Sequence, residues 1–415
     1  MEKLAIHGGN PVFDAPFFRG WPGIQEYGLE EAENLIKVLK NRSPFRYYGP
    51  NIQNMVNNFE KEFKERFGMK NAVAVTSGTA SLMVALKAAG IGPGDKVIVP
   101  ACTFLATPGA VVCAGAVPVF CDVDDTLNLD PTKIGDVVDK YTKAIITVPL
   151  QGFPCQMDQI MEEAKKYGLI VIEDCAQSMG SSLNGKLMGT WGDIGCFSLQ
   201  MNKLITTGEG GIVVTNNDEY YDRAVRYHDQ GQHRAIEGFL TDAADHVLIG
   251  QNYRMSEFTG AVALAQLGKL DKIIARSSQI KKYMKEELKN LKGVSFKRDI
   301  DPEGDVGAAL TLFIDDLDKA AAFNDALNAE NVCVGPMYGG RPVYMLPQIF
   351  YQRTMDRNGF PFNQFDEPIV YTEDMCPQAN YYMPRNINLS LSAEYTDEDV
   401  EKVIYAIKKV AAGIL

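Results

Sequence analysis

Between about residues 50 and 270 the chain alternates short apolar, β-branched runs with longer stretches of helical spacing. The runs are AVAVTS (72–77), KVIVP (96–100), VPVFCDV (117–123), AIITVP (144–149), LIVIEDC (169–175), IGCFSL (194–199) and GIVVT (211–215). They are nearly continuous in apolar residues, as strands covered on both faces must be. Strand alternating with helix predicts an α/β fold, a mainly parallel seven-stranded sheet with helices on both faces. In such sheets ligands sit beyond the carboxyl ends of the strands, so the residues just past each run carry the chemical interest.

After about residue 270 the pattern changes to a long polar helical stretch, a strand candidate AALTLFI (308–314) and a helix from about Leu317 to Glu330. Thr396 with Asp399 makes an N-terminal capping pattern, and Val400, Val403, Ile404 and Ile407 follow at one-face spacing. A smaller C-terminal α/β domain is therefore expected. The stretch from Arg341 to Asn388 is rich in Pro, Tyr, Phe and Asn with little periodicity, which predicts a long irregular segment. The expected division is an N-terminal arm and helix packing on the core (1–49), a large domain (50–270) and a small domain (271–415).

Composition narrows the function classes. A net charge of −12 sets the whole-molecule field against polyanions, so neither nucleic acid nor an anionic membrane surface is expected as a partner. Val97 to Cys121 runs without a charge for long enough to span a bilayer, but Pro100, Pro108 and Pro118 divide it into strand, crossover and strand. The eight cysteines include no CxxC pair and have no histidine-rich surroundings, so no metal site is expected and they read as reduced core residues. With no secretion-signal pattern in MEKLAIHGGN, a cytoplasmic location is the expectation.

Four strand ends carry candidate chemistry. In TSGTASLMVALKAAG (76–90) a strand runs into Gly78, Thr79 and a helix, whose free first amides suit a phosphate or simply make an ordinary capped helix. In VIEDCAQSMG (171–180) a buried strand ends in Glu173 and Asp174, with Gln177 beyond. A carboxylate there either caps a helix or meets a cationic ring nitrogen. In GCFSLQMNKLITTGEGG (195–211) Lys203 follows an apolar strand and precedes a glycine-dense turn. It is either a solvated loop lysine or, placed in a cleft, an amine with a lowered pKa. Phe104, in CTFLAT (102–107), is either a core residue or a stacking face for a flat heterocycle. Together these are a phosphate seat, a stacking face, a carboxylate for a ring nitrogen and an amine for an aldehyde, the contacts that pyridoxal 5'-phosphate (PLP) requires.

On SGTASL, GIGPGDKVIVPACTF, GAVPVFCDVD, EDCAQSMG, GDIGCFSLQMNKLITTGEGG and NYRMSEFTGAVALAQL (252–267), the chain resembles the DegT/StrS family of sugar aminotransferases, a branch of the fold-type I PLP enzymes. The resemblance runs from about Leu4 to the C-terminus. It implies that Lys203 is the lysine that joins the cofactor, Asp174 the partner of the pyridine nitrogen, Gln177 a neighbour of the ring's 3-oxygen and Phe104 the stacking aromatic. It implies phosphate contacts from Gly78, Thr79 and Ser198, and from Asn252 across a homodimer interface. The implied activity is transfer of an amino group from glutamate or glutamine to a keto sugar or cyclitol-type ketone, of the nucleotide-linked sugar, inosose or octulosonate class. A PLP-dependent sugar dehydratase and a non-catalytic PLP-binding regulatory protein are the alternatives. The N-terminal LAIHGGNPV and FRYYGP resemble the cyclitol and aminohydroxybenzoate branch. Many relatives carry a histidine where this chain has Pro149. The segment GPMYGGRPVY (335–344), with Tyr338 and Arg341 as substrate-contact candidates, matches loosely. It and RYHDQGQHR (226–234) are expected to overhang the site.

Overall fold

The computed structural model describes residues 2–18, 21–234 and 247–415. Seven strands, β1 (Asn71–Val75), β2 (Lys96–Pro100), β3 (Val117–Cys121), β4 (Thr142–Thr147), β5 (Ile170–Asp174), β6 (Ile194–Ser198) and β7 (Gly211–Thr215), form one sheet in the order β1-β7-β6-β5-β4-β2-β3. Each coincides with one of the apolar runs. The pairs β2–β3, β2–β4, β4–β5 and β5–β6 are parallel, whereas β7 is antiparallel to both β1 and β6. Residues 199–210 contain no crossover helix, so the chain can only turn back beside β6. That return loop, at the carboxyl end of β6, carries Lys203.

Successive strand residues face opposite sides, which is why apolar runs feed two cores. Val97 and Val99 pack in one layer with the helices Gly78–Ala88 and Ala106–Cys113, while Ile98 packs in the other with Met55–Phe67 and Met157–Tyr167. The uncharged stretch 97–121 is β2, the helix Ala106–Cys113 and β3 in parallel register. Among the described residues no helix is long and apolar enough to cross a membrane. All eight cysteines are free, and six are buried.

Glu173 shows how a buried charge serves the fold. Its side chain points away from that of Asp174, and its oxygens accept from the amides of Gly189 (2.6 Å), Trp191 (2.7 Å) and Gly192 (2.7 Å). These three amides belong to the turn that leads into β6. Glu173→Gln places an N–H against one of those donors, so a loss of about 1–3 kcal/mol is expected in chemical denaturation.

A second, antiparallel sheet comprises β8 (Ser295–Phe296), β9 (Ala309–Phe313) and β10 (Asn386–Ser390). The helices Leu270–Leu288, Leu317–Ala329 and Asp397–Ile414 share its core. The last helix starts as its sequence predicts: Asp399 N donates to Thr396 Oγ1 (3.1 Å) and Thr396 N to Asp399 Oδ2 (3.0 Å), with Val400, Val403, Ile404 and Ile407 buried behind. The stretch 341–388 is irregular apart from short helices such as Pro347–Phe350 and Pro377–Tyr382, and its end is β10. It packs on the large sheet rather than the small one: Tyr344, Phe362 and Tyr371 join the large core, and Tyr371 Oη donates to Pro118 O (2.7 Å). Asp122 fixes its far end by accepting from the amides of Gln378 (2.8 Å) and Ala379 (2.9 Å).

Candidate active site

A cavity of about 830 Å³ opens beyond the carboxyl ends of β1, β2, β5 and β6. The small sheet closes it with Asn388 and the loop 335–338, and the N-terminal arm with Phe18 and Trp21. Gly78, Thr79, Phe104, Asp174, Gln177, Ser198, Lys203 and Tyr338 all line it.

At one end the helix Gly78–Ala88 points its N-terminus into the cavity. Ser77 caps it by accepting from Ala80 N (3.0 Å), and the amides of Gly78 and Thr79 have no preceding turn to bond. A Cβ on Gly78 would stand 2.6 Å from Ser198 Cβ, so only glycine lets the helix end and the hydroxyl of Ser198 converge. Amides and hydroxyl together make an anion seat of phosphate character.

Further along, Phe104 is 60% exposed, a large apolar face turned to the cavity. Asp174 is buried at the tip of β5, where Oδ2 accepts from Thr107 Oγ1 (2.8 Å) and Oδ1 from Ala176 N (3.2 Å). Burial raises its pKa; the Thr107 and Ala176 bonds and the charge of Lys203 oppose that rise. Burial lowers the pKa of Lys203, against the opposing charges of Asp174 and Glu209. Lys203 Nζ has no hydrogen-bond or ion-pair partner among the described residues, so its amine is held only by its surroundings. Gln177 bridges the two sheets: its Oε1 accepts from Gln151 N (3.1 Å) and its Nε2 donates to Tyr338 Oη (2.8 Å). Tyr338, with its ring centroid 6.3 Å from that of Phe104, stays a neutral phenol because burial raises its pKa.

Other expected residues lie elsewhere. Asn252 is exposed and does not line this cavity; its backbone bridges Asp229. RYHDQGQHR does not overhang the site within this chain. His228, His233 and Arg234 line a separate cavity of about 520 Å³ with Arg46 and Tyr47, and Arg226 and Arg234 pair with Asp222 (2.8 Å) and Asp229 (2.5 Å). Arg341 is exposed and outside the lining, whereas Gly335 to Tyr338 of the same segment do line it. Sequence reasoning missed Thr107, Gln151, Asn388, Phe18 and Trp21. Thr107 stands one helical turn beyond Phe104, a spacing that would have marked it. The others come together only through the tertiary fold.

The model of the DegT/DnrJ/EryC1/StrS aminotransferase family matches residues 27–408. The chain belongs to this family. It is 31% identical over 394 residues, 93% of this chain and 95% of its relative, to the spore coat polysaccharide biosynthesis protein SpsC of Bacillus subtilis. It is 43% identical over 241 residues to the GDP-perosamine synthase of Escherichia coli O157:H7, covering 57% of this chain and 64% of that protein. With the L-glutamine:2-deoxy-scyllo-inosose aminotransferase of Streptomyces kanamyceticus it shares 34% identity over 279 residues, 66% of this chain and 65% of that enzyme. These two alignments thus span slightly less than two thirds of the relatives they match. The crystal structure of 3-amino-5-hydroxybenzoic acid synthase superposes with a TM-score of 0.82 at 28% identity, covering 96% of this chain and 100% of that one. In this DegT/DnrJ/EryC1/StrS family member the fold is that of the PLP aminotransferases.

Proposed function

We propose that the protein is a PLP-dependent aminotransferase that carries an amino group from glutamate or glutamine to a keto sugar or cyclitol-type ketone. The observation that carries this reading is the convergence of Lys203, Asp174, Phe104, Gln177 and the Gly78–Thr79–Ser198 seat on one cavity. The residues fit the cofactor: an aromatic face stands uncovered beside a buried carboxylate, and a helix end freed of Cβ offers amides where a phosphate would lie. Lys203 would hold the aldehyde carbon, Asp174 the ring nitrogen, Phe104 the ring face, Gln177 the 3-oxygen, and Gly78, Thr79 and Ser198 the phosphate.

When bound, PLP supplies an aldehyde for amines and a ring that takes up negative charge from the adjoining carbon. The chain's own residues do the rest. Among the described residues Lys203 is the only lysine lining the cavity, and its lowered pKa leaves more of the amine neutral than an ordinary lysine would have. Its Nζ takes and returns the proton at the substrate carbon that bears nitrogen. Asp174 keeps the ring nitrogen protonated, a charge-assisted contact stronger than a neutral one. Phe18, Trp21 and Leu204 add apolar surface to the cavity wall. The presence of Lys203, an amine able to hold the aldehyde and to carry the proton, favours amino transfer over the dehydratase reading.

The same proposal includes a cytoplasmic homodimer, with Asn252 serving the phosphate of a partner's site. Support comes from its exposure away from its own cavity. It also divides the chain into an arm (1–49), a large domain (50–270) and a small domain (271–415), supported by the separate seven- and three-stranded sheets, with the irregular segment from Val343 to Met383 reaching back onto the large core. A direct assay charges the protein with PLP and glutamate or glutamine, then compares keto sugars and inososes with phenylpyruvate. The polyol ketones are expected to be aminated and phenylpyruvate to be a poor acceptor, because polar groups built to bind hydroxyls are left unpaired by an apolar substrate. Turnover of phenylpyruvate alone would place the protein in amino-acid metabolism.

A further inference from the structure

Beneath the cavity, on the side of the small sheet, lies a lysine that the proposed chemistry does not use. Lys297, just past β8, is 7% exposed and forms no ion pair among the described residues. Its Nζ donates to Gln151 Oε1 (3.2 Å) and sits 5.5 Å from the centroid of the Phe153 ring. Burial and the nearby Lys281 lower its pKa to about 7, and either protonation form still donates to Gln151. A buried amine must at least donate a hydrogen bond, and Gln151 Oε1 is the acceptor that Lys297 finds.

Gln151 itself is held in an unusual way. It has a left-handed backbone (φ 59°) although it is not glycine. The next residue, Gly152, accepts from Val306 N (3.2 Å), and a Cβ there would meet Val306 Cγ2 at 2.2 Å. The turn after β4 is thus pressed onto the small-domain side. Gln151 Oε1 also accepts from Thr311 Oγ1 (2.9 Å), so two donors fix the orientation of the amide. Its NH2 group therefore faces Asn388 Oδ1, to which it donates, and the cavity. With that oxygen engaged, Asn388 has its own NH2 left, and this has no partner among the described residues. The wall formed by these two side chains offers N–H donors and no free acceptor.

We propose that Gln151 and Asn388 are the acceptor-recognition pair of the site, binding ring hydroxyl oxygens of a polyhydroxylated ketone, with Lys297 as the positioning residue that fixes Gln151. The inference rests on the aminotransferase reading and deepens it.

The test uses the full-length protein charged with PLP. Glutamate or glutamine is added and conversion to the amine-loaded form is followed by absorbance. Three ring ketones are then offered: scyllo-inosose, 2-deoxy-scyllo-inosose and a nucleotide-linked 4-keto hexose. Gln151→Glu is the discriminating variant, because it keeps the size, strengthens the contacts to Lys297 and Thr311, and removes the donor. The Asn388 amide can turn to donate to the new carboxylate, so the packing of the wall is kept while its free donors are used up. The expected result is a KM for the ring ketone raised about tenfold in Gln151→Glu and Asn388→Ala, the loss of one hydrogen bond to an uncharged hydroxyl. The kcat and the donor half-reaction are expected to stay within about twofold, because neither side chain belongs to the proton-carrying machinery. Lys297→Met should fold with a melting temperature at or above wild type and show the same KM effect in weaker form. An intact donor half-reaction with an unchanged KM in both Gln151→Glu and Asn388→Ala overturns this inference alone. So does an intact donor half-reaction with no turnover of any of the three ketones. A wild-type protein that fails the donor half-reaction overturns the aminotransferase reading and this inference with it.

Discussion

Lys203→Ala is expected to lower amino transfer by at least about 10⁴-fold, the upper range for removal of a positioned proton carrier. The size of the effect follows from the cavity's inventory. Among the described residues its lining contains no second lysine, and the other nitrogen-bearing side chains there, the amides of Gln151, Gln177, Gln200, Asn202 and Asn388 and the indole of Trp21, do not take up a proton. Alanine also removes the covalent link to the aldehyde. The phosphate seat at Gly78, Thr79 and Ser198, the Phe104 face and Asp174 all remain, so PLP should still bind, exchangeably. Turnover and retention of cofactor through gel filtration check both halves of the expectation. Substantial activity in the variant would mean that the proton is carried from elsewhere.

Asp174→Asn comes second, with an expected fall in kcat of about 10²–10³-fold, comparable to removing one preorganised electrostatic contact at a reacting centre. Asp174 already satisfies Thr107 and Ala176, so the asparagine can hold its place in the turn with one of those bonds weakened. It cannot hold a proton on the ring nitrogen with the strength of a carboxylate. Stability should move the other way. Folding raises the pKa of Asp174 through burial, so its contribution to stability is fully present below the ordinary aspartate range and is lost as pH rises through the raised value. The protein without cofactor should therefore become less stable relative to Asp174→Asn between acidic and neutral pH. Near wild-type turnover in the variant would reduce Asp174 to a cap on the Ala176 turn.

The large sheet was legible because each of its strands is a short, two-faced apolar run, a pattern that survives without tertiary information. The proposed cofactor end of the cavity was legible for a related reason. Gly78, Asp174, Ser198 and Lys203 lie at or just past strand ends, so sequence order already brings them near one edge. β10 was not foreseen, since Asn386 and Asn388 break its apolar pattern. Asn386 is buried because its Oδ1 accepts from Met337 N (2.8 Å), a partner 49 residues away. The same long-range dependence hid Gln151, Lys297 and Asn388, whose meeting requires the small sheet to dock on the turn after β4. RYHDQGQHR does not reach this chain's own cavity, because charge and polarity say that a segment is solvated or paired but not which cavity it borders. Its arginines are bound to Asp222 and Asp229.

The central claim, that Lys203 is the residue that holds PLP in this cavity, has one most direct measurement: borohydride reduction of the PLP-charged protein followed by peptide mapping. The account predicts a stable cofactor adduct on the peptide carrying Lys203 and its absence from Lys203→Ala. An adduct on a different lysine, or none on the fully charged wild-type protein, would contradict it.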